Sequence, residues 1–436
     1  MNKLRLAFAT PWNEKSAIAQ HSAELIAELS KLSYEVAILR TEVGEAKDLA
    51  PRVSDASVFH LDNLTNSEIQ NKFDVVIAQI GNNCNYHGAL PFRIKHINAV
   101  GIFHDSFLGH FAYGWAKDEN YLRKLVYKFY GEDAWPKDEG YFNNLALSVD
   151  RRPFLEWLAC SCIGAISHSG HYIDRLKKSC PGPTALIPLA LTFPELPPPP
   201  MPWDHLTIAV IGDANPNKRI DQLILAIAAS PKLRKCCDIK IIGETTAEMK
   251  KFLIEVATIS GINIPHFYGW VSDKDLPWLL RDVDVICCLR NPITEGASAS
   301  LLFAMHSRRP TIVTNHGSFA EAPDGTVLRC DPAFEARDVL GHLENILDRP
   351  DQFKQMTERA KSHVSNIHTP SFYVQSLLPF LEKVVDASLK ASTKVQIQST
   401  LDSFGLSTDD SASSRIDSHL DSLFNHNDRS TNIEIH

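Results

Sequence analysis

The segment Leu206-Thr-Ile-Ala-Val-Ile-Gly-Asp-Ala-Asn-Pro-Asn-Lys-Arg219 gives the clearest indication of the fold. The residues up to Ile211 are almost all apolar and predict a buried β-strand, after which Gly212 opens a polar turn. A helical pattern then runs from Asp221 to Ala229. A strand, a glycine turn and a helix in this order are typical of the repeating unit of a parallel α/β sheet.

The same alternation of strands and helices continues downstream. The apolar runs that predict further strands are Ile239–Ile242, Val283–Ile286 and Thr311–Thr314. Helical patterns lie between them, at Thr246–Thr258 and Ser298–His306. We therefore predict a Rossmann-like domain over residues 205–369.

An equivalent pattern fills the N-terminal part of the chain. Its strand-like runs are Leu4–Thr10, Glu35–Leu39, Asp74–Ile80, Ala99–Phe103, Ile163–Ile166 and Thr184–Ile187. A helical pattern starts at Ser22, after the first run, and we predict a doubly wound Rossmann-like domain over residues 1–193. Prolines crowd residues 194–204 and predict an extended linker, because proline fixes φ and lacks an amide hydrogen. Two such domains predict a ligand cleft between the carboxyl ends of their strands.

The composition changes again in the C-terminal part. Residues 370–387 predict a helix, whose apolar positions include Leu377 and Leu381. From 388 to 436 the chain is rich in Ser, Thr, Asp and Asn and poor in aromatic residues. Such a segment buries too little apolar surface to offset the entropy of ordering, and we predict a disordered tail.

Composition also excludes several classes of function. The 436 residues carry a formal net charge of -8, which argues against a nucleic-acid partner. No apolar run reaches the ~18–20 residues that span a bilayer, and no signal peptide precedes the first strand. We therefore expect a cytoplasmic protein with reduced cysteines. The basic stretch Leu122–Tyr130 leaves two explanations open, peripheral contact with the inner face of a membrane and an ordinary amphipathic helix.

Two loops have the chemistry of anion sites. Lys218 and Arg219 follow the first strand of the second domain and suit a diphosphate, although a solvated pair in an ordinary turn is an equal explanation. The second loop, Asn291–Ser300, runs from a strand into a helix. Its small residues allow close approach to amides at a helix N-terminus, whereas a plain N-cap at Ser298 is the alternative.

Together these segments resemble the retaining GT-B glycosyltransferases of glycosyltransferase family four, in the branch typical of bacterial polysaccharide assembly. The G…NPNKR, EGASxSLxEAM and GSxAExPD segments of that family correspond to Gly212–Arg219, Glu295–Met305 and Gly317–Asp324. In the first domain its PxxxxSGIA, GNxxxH and LHD segments correspond to Pro11–Ala19, Gly81–His87 and Phe103–Asp105. The resemblance covers residues 4–385 and implies the GT-B architecture, two Rossmann-like domains facing a central cleft.

The resemblance also implies the donor, a UDP- or GDP-linked sugar. Lys218 and Arg219 would neutralise its diphosphate, and Glu295 would contact its sugar. The other residues implied in donor binding are Ser16, Ala17, Gly212, Gly296, Ala297, Ser298, Ala299, Trp270 and Val271. For Trp270, a place in the hydrophobic core is an equal explanation.

The acceptor side is implied to lie in the first domain, with the hydroxyl of a glycan or a lipid-linked molecule as acceptor. His104 corresponds to a family histidine near the reacting centre, although a hydrogen-bonded core residue at the end of a buried strand is the alternative. Asp105 corresponds to a neighbour that orients it or the acceptor. Asn82, Asn83 and His87 are weaker candidates, for which a loop-stabilising role is an equal explanation.

The mechanism implied is front-face transfer with retention, in which the leaving diphosphate takes the acceptor proton. The cations and the amides of Ala297–Ala299 would stabilise its charge. We expect neither a cofactor nor a metal, because Asp282-Val-Asp284 lies at the start of a strand and is interpreted as structural.

Two positions depart from the family pattern. Phe303 replaces the second glutamate of E-x7-E, and phenylalanine cannot accept hydrogen bonds from ribose hydroxyls. Ala17 stands where the family usually has glycine, and its added Cβ requires a negative φ at this position. Phe303 motivates an alternative function, a non-catalytic binding or scaffold subunit with the same fold. A GT-B-like phosphorylase or epimerase has no specific feature in its favour.

Overall fold

The computed structural model describes residues 3–135, 140–199, 204–272, 275–404, 415–416, 418–420 and 422–423. The chain forms two compact units. The first contains the residues up to Ser167, Tyr172–Ile187 and the residues from Gln375 onward, and the second contains His168–His171 and Pro188–Val374. Residues 194–199 of the predicted linker form neither strand nor helix, and the rest of its prolines lie outside the described residues.

The first unit is built on a seven-stranded parallel sheet with the order β3-β2-β1-β4-β5-β6-β7. Its strands are β1 Leu6–Thr10, β2 Val36–Arg40, β3 Val58–His60, β4 Val75–Ile80, β5 Ala99–Phe103, β6 Gly164–Ser167 and β7 Thr184–Leu186. The strand order reverses between β1 and β4, and this is the point of such a sheet where ligands bind.

The α-helices of this part are α1 Ala17–Lys31, α2 Asn66–Lys72, α3 Cys84–His87, α4 Leu90–Arg93, α5 Gly109–Ala116, α6 Glu119–Tyr130, α7 Leu145–Arg151, α8 Leu155–Ala159 and α9 Gly170–Ser179. Short 3-10 turns lie at Gly44–Asp48, Leu61–Asn63, Ile94–His96 and Glu132–Ala134. Helix α1 begins five residues earlier than the predicted Ser22, because the side chain of Ser16 accepts a hydrogen bond from the amide of Ala19 and caps the helix.

The second unit has a six-stranded parallel sheet with the order β10-β9-β8-β11-β12-β13. Its strands are β8 Leu206–Ile211, β9 Cys237–Ile242, β10 His266–Phe267, β11 Val285–Cys288, β12 Thr311–Thr314 and β13 Leu328–Cys330. The order reverses between β8 and β11, so the loops that follow these two strands lie at the same edge of the sheet.

The remaining α-helices are α10 Ile220–Ala229, α11 Leu233–Cys236, α12 Ala247–Ser260, α13 Leu276–Leu280, α14 Ala299–His306, α15 Gly317–Ala320, α16 Glu335–Asp348, α17 Phe353–Ile367 and α18 Pro370–Ser403. 3-10 turns lie at Pro216–Lys218 and Pro350–Gln352. Local sequence explains both ends of α12: the hydroxyl of Thr246 accepts the amide of Met249, and Gly261 ends the helix with a φ of +66°.

Both faces of the second sheet are buried, which explains its nearly continuous apolar strands. In β8, Leu206, Ile208 and Val210 belong to one hydrophobic cluster. The alternate residues Ala209 and Ile211 belong to a second cluster. Because neighbouring residues of a strand point to opposite faces, this division shows helices covering the sheet on both sides.

The C-terminal helix is longer than predicted. Disorder was expected from residue 388, but α18 continues to Ser403. The polar composition concealed two apolar side chains, Ala391 and Val395, which are buried and give this part of the helix a packing face. The predicted tail beyond residue 404 falls mostly outside the described residues. None of the helices in the described part of the chain is both long and apolar enough to cross a membrane.

Two leucines of α18 test whether this helix belongs to the core. Leu381 is completely buried, whereas Leu389 is 65% exposed. Leu381→Ala is expected to lower the free energy of unfolding by about 2–5 kcal/mol, because it leaves a cavity. Leu389→Ala is the matched control, with an expected change within about 0.5 kcal/mol. Denaturant unfolding followed by circular dichroism gives both values, and equal effects would contradict the packing of this helix.

Candidate functional site

The loop after β8 positions Lys218. Gly212 has a φ of +87°, and a Cβ at this position would lie 2.6 Å from Nζ of Lys218. Nζ donates a 2.6 Å hydrogen bond to the carbonyl of Ile211. A Cβ on Gly243 would in turn meet the Gly212 backbone at 2.3 Å. Glycine is therefore favoured at these two positions, because a side chain there would be strained or would collide with its neighbours. The space that they leave lets Lys218 reach the end of the preceding strand, β8.

The loop after β11 is organised by Arg290, a residue that the sequence analysis did not identify. Its guanidinium is buried, and Nε lies 2.9 and 3.1 Å from the two carboxylate oxygens of Glu295. A further nitrogen of the guanidinium donates to Ser300 at 3.4 Å. Arg290 thereby fixes the orientation of Glu295, the residue predicted to contact the donor sugar.

Hydrogen bonds join these two loops. The amide of Asn291 donates to the carbonyl of Asn217 at 2.8 Å, and the side-chain amide of Asn217 lies 3.5 Å from the hydroxyl of Thr294. The carbonyl oxygen of the Asn217 side chain is buried, and no described residue donates to it. The structure thus brings Lys218, Arg290 and Glu295 together at the switch point of the sheet.

Arg219 has a different environment from its neighbour Lys218. Its Nε donates to the buried carboxylate of Glu335 at 2.8 Å, and the other oxygen of Glu335 accepts the hydroxyl of Thr314 at 2.7 Å. The hydroxyl oxygen of Thr314 also accepts a 3.0 Å hydrogen bond from the backbone amide of Arg290, which extends this network to the loop after β11. Arg219 and Arg290 are therefore each paired with a carboxylate, and Lys218 is the cation at the junction of the two loops that has no ion-pair partner among the described residues.

Burial changes the acid–base behaviour of Lys218. Removal of the ammonium group from water and, to a smaller extent, the positive charge of Arg290 together lower the pKa of Lys218 to about 7, although Glu295 opposes the shift. Near neutral pH this lysine is consequently balanced between its charged and neutral forms. An anion bound beside it would favour the charged form.

The helix after this loop has the predicted cap. Ser298 accepts the amide of Leu301 at 3.3 Å, and α14 starts at Ala299. The carbonyl of Gly296 accepts the hydroxyl of Ser169 at 2.6 Å, which fixes the preceding turn, and Ala297 is partly buried in the adjacent cluster. The N-cap and an anion site are compatible, because a cap uses only one of the free amides of the first turn.

Trp270 is 56% exposed, so the explanation as a core residue is wrong. A backbone bridge between Gly243 and Gly269 holds the segment with Trp270 and Val271 beside the loop after β9. Gly243 in turn lies against Gly212 of the loop after β8. Phe303, by contrast, packs against apolar neighbours: its ring centroid lies 5.4 Å from that of Phe193. The position of the missing glutamate is therefore part of a hydrophobic contact.

In the first unit, His104 follows β5. Its amide donates to the carbonyl of Ile80, and its Nε2 lies 2.5 Å from the side-chain oxygen of Gln79. The ring of His21 stands edge-on to His104, with centroids 5.0 Å apart. Gln79 and His21 are buried and were not identified from the sequence, since each occupies an apolar strand or helix pattern.

The loop after β4 surrounds Gly81. A Cβ on Gly81 would lie 2.5 Å from the side chain of Ile18, 2.8 Å from that of His87 and 3.5 Å from that of Asp105. Asp105 accepts the amide of Asn82 at 2.7 Å. Three predicted segments, after β1, β4 and β5, thus meet at the switch point of the first sheet. Ser16 and Ala17 form the start of α1 in the first of these segments, and Ala17 has a negative φ, so its Cβ causes no backbone strain.

Two of the weaker candidates have structural roles. Burial lowers the pKa of His87 to about 3, so its imidazole is neutral. Asn83 accepts the amide of Asn85 at 2.9 Å and caps α3. These contacts favour the loop-stabilising explanation for both residues.

The described residues include no group of three or more His, Cys, Asp or Glu side chains placed to hold a metal ion. In the Asp282-Val-Asp284 segment, Asp284 accepts the amide of Thr207 at 2.8 Å. This contact joins β8 to the start of β11 and agrees with the structural interpretation of that segment.

Comparison with known proteins identifies the class of fold and the second domain. Residues 199–363 match the sequence family described as "Glycosyl transferases group 1". No curated protein matches the chain. Among solved structures, sucrose-phosphate synthase (tll1590) from Thermosynechococcus elongatus is similar with a TM-score of 0.58 and 13% identity, over 88% of this chain and 100% of that chain.

Two further solved structures are similar to this chain over most of their length. Anabaena Alr3699/HepE in complex with UDP-glucose has a TM-score of 0.58 and 15% identity, over 87% of this chain and 100% of that chain. The apo form of the lipopolysaccharide outer core galactosyltransferase WaaB has a TM-score of 0.53 and 14% identity, over 86% and 99%. Both units are parallel α/β domains, and the fold is GT-B. The fold and the group 1 domain together support a GT-B glycosyltransferase.

Lys218→Met tests the cost of burying this charge. Because the folded pKa lies below the value for an unfolded chain, the cost is complete below pH 7 and falls as the pH rises, by roughly 1.4 kcal/mol per pH unit. We expect the variant to unfold at higher denaturant concentration than the wild type at pH 7, with a smaller gain at pH 9. Lys235→Met, at an exposed lysine, is the control. A destabilised Lys218→Met at pH 7 would mean that the hydrogen bond to Ile211 outweighs desolvation.

Proposed function

We propose that the chain is a retaining, metal-independent glycosyltransferase that moves a sugar from a nucleotide-diphosphate sugar to an acceptor hydroxyl. The observation that carries this proposal is the charged cluster at the switch point of the second sheet. Lys218, Arg219 and Arg290 oppose two carboxylates there, Glu295 and Glu335. These five side chains have one positive charge in excess when Lys218 is protonated, and the exposed carboxylate of Asp213 offsets part of it. An anion complements the buried excess.

The diphosphate of the donor suits this excess charge. Lys218 is desolvated in the free protein, and a phosphate oxygen near Nζ would supply the missing counter-charge. The amides of Ala297–Ala299, at the start of α14, add donors for the same group. Arg219 contributes through Glu335, which it holds in place beneath the site.

Glu295 is proposed to accept hydrogen bonds from the donor sugar, in the orientation that Arg290 imposes. During transfer, negative charge grows on the leaving diphosphate, and preorganised cations lower the energy of that state. The leaving oxygen takes the acceptor proton, so neither a separate base nor a cofactor is required. Lys218 and Arg290 supply the positive charge that a metal ion supplies in other phosphate sites.

The structure of HepE with UDP-glucose makes uridine the first nucleotide to test, and guanosine the second. Phe303 offers no hydrogen bond to a ribose, so affinity for the donor is proposed to depend mainly on the phosphates. Trp270, exposed beside the loop after β9, is the candidate surface for the base.

In the first unit, His104 and Asp105 are proposed to act on the acceptor side, where a glycan or lipid-linked hydroxyl is the substrate. Polysaccharide assembly at the cytoplasmic face of a membrane is the setting that we propose. Glu119 lies in the first turn of α6 and pairs with Arg123, which offsets part of the positive charge of this helix. Membrane contact at that helix is accordingly a secondary part of the proposal.

The alternative is a binding or scaffold protein that retains the donor site without turnover. Phe303 is the observation in its favour. The two functions differ in one measurable respect: only the transferase releases free nucleotide from a sugar donor, with the product sugar in the donor's anomeric configuration. Proton NMR of that product also tests retention.

Calorimetric titration with UDP, GDP and their sugars tests the donor site. We expect saturable binding of one nucleotide, and a loss of at least about tenfold in affinity in Lys218→Met, because hydrogen bonds to charged groups contribute about 1.5–3 kcal/mol. Lys235→Met is the control and should bind as the wild type does. Absence of binding by every nucleotide would exclude both the transferase and the donor-binding scaffold.

The pH dependence of binding gives a second, independent test. Between pH 7 and 8.5 the phosphates of UDP remain fully ionised, since their last pKa is near ~6. Lys218 loses its proton over the same range, so UDP affinity is expected to fall by about tenfold as the pH rises. In Lys218→Met the affinity should be low and nearly constant. An equal slope in both proteins would assign the titration to another group.

A further inference from the structure

The segment between β5 and β6 carries an exposed aromatic group that the proposed reaction does not yet use. The ring of His110 is stacked on Phe142, with centroids 4.8 Å apart and an interplanar angle of 14°. Tyr113 meets Phe142 edge-on at 5.2 Å and is 51% exposed, and His110 is exposed as well. We name these three residues the aromatic platform.

The platform is held rigidly from below. Phe107 is completely buried and stands edge-on to His110, with centroids 5.6 Å apart. A Cβ on Gly109 would lie 2.2 Å from the ring of Phe107 and 2.7 Å from the hydroxyl of Tyr141, so the backbone is in close contact with both. That hydroxyl donates to the carbonyl of Arg152 at 2.9 Å. A surface fixed in this way loses little entropy when a ligand binds.

Polar groups border the aromatic platform. The side-chain oxygen of Asn82 accepts the amide of Phe111 at 3.0 Å, so its nitrogen is the donor to Nδ1 of His110, also at 3.0 Å. Because Nδ1 accepts this hydrogen bond, the neutral ring carries its proton on Nε2. Desolvation lowers the pKa of His110, which favours the neutral form. The amide of Asn82 donates to Asp105, which connects the platform to the predicted acceptor residues.

We propose that the aromatic platform binds a sugar ring of the acceptor. This inference rests on the proposed glycosyltransferase function and specifies its acceptor as a saccharide. A pyranose presents an apolar C–H face and a rim of hydroxyls, and it needs an aromatic face flanked by hydrogen-bonding groups. Tyr113 provides the exposed ring, and Nε2 of His110 and the hydroxyl of Tyr113 provide polar contacts.

Charge favours a neutral saccharide over an anionic lipid surface. The charged side chains that follow α5 are Lys117, Asp118 and Glu119, all exposed. These three residues have no positive excess among themselves, and the first basic residue of α6, Arg123, pairs with Glu119. Lys124 and Lys128 lie further along that helix, whereas binding to an anionic membrane requires several basic residues close together.

Saturation-transfer NMR with methyl glycosides of glucose, galactose, mannose and N-acetylglucosamine, and with maltose, cellobiose and lactose, tests the platform. At least one saccharide is expected to bind the wild type. Tyr113→Ala and His110→Ala should each weaken that binding about three- to tenfold, the effect of one aromatic contact. Tyr113→Phe keeps the ring and should retain most of the affinity. Phe252→Ala, at an exposed aromatic residue of the second unit, is the control and should bind as the wild type does.

The same samples are titrated with UDP and with phosphatidylglycerol vesicles. UDP binding should be unchanged in the platform variants. If neither the wild type nor the variants bind UDP, the proposed function is contradicted, independently of the saccharide result. The inference is overturned if none of the saccharides binds, or if their binding survives both alanine variants. Vesicle binding that requires Tyr113, without saccharide binding, would assign the platform to a lipid surface instead.

Discussion

The ion pair between Arg290 and Glu295 is the interaction on which the candidate donor site depends. A buried guanidinium needs a partner of opposite charge, and the partner of Arg290 is Glu295, the residue predicted to contact the donor sugar. The pair holds the loop after β11 in one conformation, and hydrogen bonds from this loop to Asn217 fix the loop after β8. Lys218 is then buried next to a second cation, which explains the lowered pKa of its ammonium group.

The two units apply the same construction to different chemistry. In each, the loops that matter follow the strands on either side of the point where the strand order reverses. The second unit gathers charges at this edge. The first gathers mainly uncharged groups there, including Gln79 beside His104 and the buried His87, whose imidazole stays uncharged, together with the single carboxylate of Asp105. Charged groups suit a diphosphate and neutral polar groups with aromatic rings suit a saccharide, so the division of residue types agrees with the division of substrates that we propose.

Much of the fold follows from local sequence. Apolar runs identified the central strands of both sheets and β7, because strands buried on both faces need apolar residues at every position, as in β8. The short edge strands β3, β10 and β13 were not predicted, since they are less completely buried and have no such run. Errors arose where pattern and packing differ. Helix α1 starts earlier than its apolar stripe, because Ser16 caps it, and α18 extends into a polar segment on the strength of two buried side chains. Neither feature has a strong pattern in the sequence alone.

For the candidate site, the sequence by itself determined which loops carry Lys218 and Glu295, since glycines, cations and a helix start recur there in an order that resembles a known family. It did not reveal Arg290, Glu335 or the aromatic platform. In the sequence, Arg290 is one more charged residue after a strand, and only the folded chain shows that its guanidinium contacts the carboxylate of Glu295. Likewise, sequence presents Lys218 and Arg219 as an equivalent pair. Tertiary structure alone decides that Arg219 is neutralised by Glu335, which is distant along the chain, and that Lys218 is not, because pairing of charges depends on distances in space.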